Sequence, residues 1–249
     1  MDDGDAVAQN DDGVQGGAPV RVHGVVSPVF GATCYVVAAR GARGAATVVV
    51  DPGVGVAERV LELVDADGLD VRAVLVTHGH PDHTWDAGTL CAALDVPLVV
   101  HADDEAAAVA PPAALTGAGP GSAAAAVGGA FAAAFAASGA GPAVPVSRTV
   151  VLDGPVTLRY DDLVVEVLPA PGHTPGSVLL RVGDVVLTGD VLFAGTVGRT
   201  DLPGGDGDRM TATLRDVVRG LDPRWTVLPG HGPETTVARE LAANPFLRP

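Results

Sequence analysis

The chain has 249 residues, 47% of them hydrophobic, and a formal net charge of −15. That length and composition can fill one large domain or two small ones. Binding to phosphates or to an anionic membrane surface needs a basic footprint, so this charge balance argues against both nucleic acid and membrane as partners.

Taken in chain order, the N-terminus "MDDGDAVAQNDDGVQGGAP" is acidic and has no apolar run. It does not read as a signal peptide, so residues 1–18 are expected to be a flexible tail and the protein cytoplasmic. Valine-rich runs follow, each ending in a turn or polar loop. Strands are predicted in "AATVVVDP" (45–52), "VRAVLVTH" (71–78), "VPLVVH" (96–101), "LVVEVLPAPGH" (163–173), "VGDVVLTGD" (182–190) and "WTVLPGH" (225–231). Helical segments are predicted near 84–94, 208–221 and 233–243, so strands and helices alternate in a layered α/β domain. Residues 106–147 carry no charge, but seven glycines and five prolines interrupt them. That insertion therefore reads as a loop leading into a small alanine-rich helix rather than as a membrane span. Cys34 and Cys91 lie apart in apolar surroundings and are expected to be reduced core residues.

The densest chemistry is "THGHPDH" at 77–83, with three of the chain's seven histidines. His78 and His80 flank Gly79, so in an extended loop their rings can point the same way. Pro81 then helps to turn the chain before Asp82 and His83. Two ligand pairs this close can serve two adjacent metal ions, and imidazole with carboxylate suits zinc, iron or manganese. His173, Asp190 and His231 each follow an apolar run and can complete the set. A lone histidine after a strand is a weak signal; together with the first motif these residues make seven candidate ligands.

That order resembles the metallo-β-lactamase superfamily. "THGHPDHTWD", "APGHTPGSV", "GDVLFAGTVGRTDLPGGD" and "LPGHGPETTVARELAANPFL" are similar to the glyoxalase II-like (hydroxyacylglutathione hydrolase-like) hydrolases of bacteria. The resemblance implies an αββα sandwich over residues 19–249, two mixed β-sheets flanked by helices. It implies that His78, His80 and His173 hold one divalent ion, Asp82, His83 and His231 hold a second, and Asp190 bridges them. Zinc is the first expectation for the pair, with iron or manganese as alternatives. Asp82 and Asp190 are the candidate catalytic carboxylates. The implied activity is hydrolysis of a small-molecule thioester, such as the lactoyl conjugate of a cellular thiol, by a metal-bridging hydroxide. A thiolate leaves without a strong general acid, and the sequence shows no dedicated one.

Only residues 232–249 follow His231, so the helical glutathione-holding domain of longer glyoxalase II enzymes is not expected here. A different thiol carrier follows as an expectation. The alternatives within the same fold are a persulfide dioxygenase with one iron on His78, His173 and Asp190, a lactonase, and a β-lactamase. Asp190 counts against the last. Asp51, in "VVVDPG", is either a hydrogen-bond partner of a ligand histidine or a plain turn residue. Arg199 either meets an anionic substrate group or ties down its own loop. His23 and His101 read as structural or exposed.

Overall fold

The computed structural model describes residues 20–40, 44–111, 133 and 137–248. The expected N-terminal tail and most of the alanine-rich segment lie outside the described residues.

Two six-stranded sheets form the centre. The first has the order β1 (Val20–Val26), β2 (Thr33–Ala39), β3 (Ala46–Val50), β4 (Asp70–Leu75), β5 (Leu98–His101) and β6 (Thr149–Leu152). Its first three strands are antiparallel, and β3 to β6 run parallel. The second sheet is built from β7 (Val156–Tyr160), β8 (Leu163–Pro169), β9 (Val178–Val182), β10 (Val185–Gly189), β13 (Thr226–Pro229) and β14 (Thr235–Thr236), in the order β14-β13-β10-β9-β8-β7. A short hairpin, β11 (Leu192–Phe193) with β12 (Thr196–Val197), follows β10.

Valine dominates these strands because a branched side chain packs well on a pleated surface. Alternation then sorts each strand between two cores. Tyr35, Val37, Val48, Val50 and Leu75 point inward and meet Leu163, Val165, Val167, Leu180 and Leu187 of the other sheet. Their neighbours Cys34, Val36, Val49 and Val74 point outward, against α1 (Ala57–Asp67) and α3 (Ala87–Leu94). On the far side, Leu179, Val186 and Val227 pack under α5 (Gly207–Asp216) and α6 (Val237–Ala243). The expected αββα sandwich is what forms.

Cys34 and Cys91 are free thiols in the outer core of the first sheet, and burial pushes Cys91 up to about 12. Among the described residues, no helix is long and apolar enough to cross a membrane.

Several elements differ from the sequence expectation. The run 182–190 is a hairpin return rather than one strand, because Gly183, with φ 62°, turns the chain between β9 and β10. The last helix starts at Val237, not 233, because the extended Thr236 caps it by accepting from the Arg239 N–H. The segment expected as one helix near 84–94 is split into α2 (Pro81–Thr84) and α3, and α4 (Glu105–Val109) follows β5.

Candidate metal centre

All seven candidate ligands converge at one end of the sandwich. His78 follows β4, and His80 sits extended as the residue before α2, with Pro81 fixing its first turn. Asp82 and His83 lie on that buried helix. His173 comes from the β8–β9 loop, Asp190 from the end of β10 and His231 from the end of β13. Backbone hydrogen bonds stitch these ends together. Val178 N–H donates to Thr77 O at 2.8 Å, Gly230 N–H to Gly189 O at 2.8 Å, and Thr33 N–H to Gly230 O at 2.8 Å. Tyr35 adds its hydroxyl, which donates to Pro229 O at 2.8 Å across the sheets.

The donor atoms form three groups, one of which, Asp51, His78 and His83, links the other two. Of those two, His78, His80 and His173 make the first and Asp82, His83 and His231 the second; atoms within each lie no more than 4.8 Å apart. Asp190 faces both. Its Oδ1 is 3.4 Å from His83 Nε2, and its Oδ2 is 3.5 Å from His173 Nε2 and 3.6 Å from His231 Nε2.

Outer contacts fix the histidine tautomers. His173 Nδ1–H donates to Arg199 O at 2.7 Å, and His83 Nδ1–H donates to Asp51 Oδ2 at 3.1 Å. Each ring therefore turns its Nε2 inward. There, His173 Nε2 meets His80 Nδ1 at 2.9 Å, and His83 Nε2 meets His231 Nε2 at 3.3 Å. His78 Nε2, Asp82 Oδ1 and Asp190 Oδ1 are buried with no hydrogen-bond partner. Orphaned buried polar atoms are costly unless a cation takes them up. This donor set of imidazoles and carboxylates fits two divalent metal ions.

The electrostatics agree. Burial, then the neighbouring histidines, pushes His78 well below the usual imidazole range, and burial holds His80 down at about 4. Both present neutral, ligating nitrogens at neutral pH. At His83 burial is outweighed by Asp190 and Asp82, which raise its proton affinity well above the usual value. Burial would raise Asp190, but His83, His173 and His231 hold its carboxyl well below the usual carboxylate range. The carboxylates of Asp82 and Asp190 thus favour positive charge at the second group, where a cation would sit.

Asp51 turns out to fill both of its readings. It is a left-handed turn residue, with φ 53°, and its buried carboxylate also accepts from Thr77 N–H and Thr77 Oγ1–H, each at 2.7 Å, beside the His83 contact. The Arg199 side chain is exposed and paired with Asp201 at 2.6 and 2.7 Å, so its guanidinium ties the loop while its carbonyl orients His173. His23 lies on β1, and His101 accepts the Asp103 N–H at 3.3 Å; neither joins the cluster. Asp104 carries no distinguishing signal in the sequence. It is buried behind the first group of ligands, in the acidic run "ADDE" whose other acids are more exposed, so composition offered no signal.

A cleft of about 380 Å³ opens over the cluster, with Phe30, Phe193 and Leu202 as its apolar walls. Phe193 rides on the β11–β12 hairpin, and α6 clamps that hairpin. Glu240 accepts the Gly195 N–H at 2.8 Å, and Asn244 donates to Thr196 O at 3.1 Å.

A four-layer sandwich carrying such a cluster at the sheet ends defines a metallo-hydrolase. The sequence pattern of the Metallo-beta-lactamase superfamily matches residues 27–231, and the chain belongs to that superfamily. Protein Rv2581c of Mycobacterium tuberculosis is 36% identical over 91% of this chain and 97% of its own length. Hydroxyacylglutathione hydrolase GloC of Haemophilus influenzae is 31% identical over 80% of this chain and 86% of its own. Among solved structures, the B3 metallo-beta-lactamase BLEG-1 superposes with a TM-score of 0.73 at 28% identity, covering 92% of this chain and all (100%) of its own. TTHA1623 in a di-iron-bound form gives 0.69 at 34% identity, covering 91% and 100%.

Proposed function

We propose that this protein hydrolyses small-molecule thioesters, converting an acyl thioester and water into a carboxylic acid and a free thiol. His78, His80 and His173 would hold one ion, Asp82, His83 and His231 the second, and Asp190 both. Zinc is the first assignment, with iron or manganese fitting the same donors. Bound there, a metal pair supplies Lewis acidity and a nucleophile drawn from water at neutral pH.

The chain's own residues do the rest. Asp51 and the Arg199 carbonyl keep His83 and His173 turned inward. Asp190 supplies negative charge between the two groups. Phe30, Phe193 and Leu202 offer an apolar wall against which an acyl chain can lie, shielding it from water. One observation carries the choice of thioester. Among the described residues lining the cleft, every titratable side chain except Arg199 belongs to the proposed ligand set. No side chain remains to protonate a poor leaving group. An amide nitrogen needs that proton, whereas a thiolate, with a conjugate-acid pKa of roughly 8.5, does not. The similarity to GloC supports the same reading. The acidic charge of the chain favours a small-molecule partner over nucleic acid, and a cytoplasmic setting suits a cellular thiol conjugate.

The test is a comparison of initial rates on lactoylglutathione, other acyl thioesters, an acyl lactone, a β-lactam, and glutathione persulfide with oxygen monitoring. Elemental analysis of the same preparation accompanies it. The thioesters should react fastest with two metal ions per chain. A preference for the lactone or β-lactam would overturn the thioester assignment. One iron per chain with oxygen uptake on the persulfide would move it to a dioxygenase.

A further inference from the structure

Both segments that carry the first group of histidines hang from the Asp104 carboxylate. Its Oδ2 accepts the Gly79 N–H at 2.8 Å, between His78 and His80. The same oxygen accepts the Thr174 hydroxyl at 2.6 Å, one residue after His173. Its Oδ1 accepts the Gly176 N–H at 3.0 Å. A carboxylate only accepts, so the Thr174 proton is committed to Asp104, and Ser177 completes the chain by donating to Thr174 Oγ1 at 2.7 Å. The seat is closely fitted. A Cβ at Gly176 would come within 2.6 Å of Asp104 Cγ, and one at Gly79 within 2.9 Å of Ala107 Cβ. A turn at Ala102–Asp104, whose start His101 caps, delivers the side chain.

We propose that Asp104 is the positioning residue of the first metal group: it sets the spacing of His78 and His80 against His173, and so governs binding of one ion but not the other. This rests on the reading of the cluster as a two-ion centre and is independent of the substrate. Asp51 is its counterpart on the other side, where it holds His83. Three donors point at Asp104, two of them at one oxygen. Asparagine in its place would turn an NH2 toward a backbone N–H or a hydroxyl on one side, so Asp104→Asn keeps the volume and removes part of the bridge.

The experiment is titration of the metal-free protein with Co2+ alone, read by absorption spectrum and calorimetry. Wild type should take two Co2+ per chain. In a His231→Ala background, where the first group remains intact, adding Asp104→Asn should weaken Co2+ binding about 10–100-fold, the usual effect of an outer partner. In a His80→Ala background, where the second group remains, adding Asp104→Asn should leave binding unchanged. That selectivity separates positioning from general loosening, which would weaken both backgrounds alike. Equal losses, or no loss with His231→Ala, would overturn the role of Asp104. Fewer than two Co2+ on wild type would instead overturn the two-ion reading itself. Should Asp104→Asn fail to fold, Thr174→Val removes one donor to the same carboxylate and should give a smaller loss in the same background only, with Thr174→Ser restoring wild-type binding. Unchanged binding in Thr174→Val would equally overturn the proposal.

Discussion

The two sheets supply the site in opposite ways. The first delivers His78, His80, Asp82 and His83 from one loop and one short helix, within six residues. The second delivers His173, Asp190 and His231 from three separate strand ends. Geometry among the first sheet's four ligands is therefore mostly local, set by Pro81 and the turn of α2. In the second it depends on distant backbones lying close together, and glycines mark where they do. A Cβ on Gly230 would collide with Asp190 Oδ1 and come within 2.7 Å of His83 Cε1. One on Gly198 would meet Asp190 O and sit 3.2 Å from His173 Nδ1. Tight approach is the second sheet's substitute for sequence proximity.

The harshest way to break this division is to remove the one residue that joins its halves. Asp190→Asn keeps the shape but takes away the charge facing His83, His173 and His231. At least one ion should be lost, with a fall in turnover beyond the about 10–100-fold typical of an outer partner. Elemental analysis, turnover and circular dichroism on one sample check it, the last expected to be unchanged. Full metal content and activity would remove Asp190 from the centre.

Gly230→Ala should come next. Its methyl group has to displace Asp190 or the His83 ring, so it should cost about 1–3 kcal/mol in stability and lower metal occupancy as well. Gly220→Ala is the matched control, since a Cβ there meets nothing within 4 Å. It should stay within about 0.5 kcal/mol of wild type with full occupancy. Thermal unfolding with and without added metal separates the two variants. Equal behaviour would mean that the close approach at Gly230 is not what seats the ligands.

The same division explains what the sequence made legible. "THGHPDH" stands out because neighbouring residues in the chain are neighbours in the site. His173, Asp190 and His231 became legible only through the company of that motif and through their place after apolar runs. Asp104 stayed hidden, because what distinguishes it from Asp103 is burial against Gly79 and Gly176, a consequence of packing across elements. The contribution of Arg199 to His173 was hidden for another reason: the working atom is a main-chain carbonyl, which any residue type supplies. At the level of the fold, alternating strands and helices were readable. The β9–β10 hairpin carries its own signal, Gly183-Asp184 between two apolar runs, which a reading of 182–190 as one strand passes over.

Asp51→Asn sharpens the comparison from the first sheet's side. Asparagine tolerates the left-handed backbone of this position, so the substitution isolates the carboxylate from the turn. The new amide cannot accept from Thr77 N–H, the Thr77 hydroxyl and His83 Nδ1–H together. Affinity for the ion held by His83 should fall about 10–100-fold. Zinc titration calorimetry reads this directly. Wild-type affinity would leave Asp51 as a turn residue alone.

The smallest effect is expected at Arg199, and it bears on which part of a residue matters in the dispersed group. The side chain is exposed and doubly bonded to Asp201, two residues on. Its own carbonyl holds His173. Arg199→Gln leaves that carbonyl in place and removes only an exposed ion pair, a kind of contact with little net worth. Metal content and melting temperature should therefore match wild type. KM should stay within about twofold for a thioester with a neutral carrier and for lactoylglutathione alike, because the guanidinium is already engaged. A rise in KM confined to lactoylglutathione would show that Arg199 leaves Asp201 to meet the anionic carrier. In that case the residue would serve the site twice, through its side chain as well as its backbone.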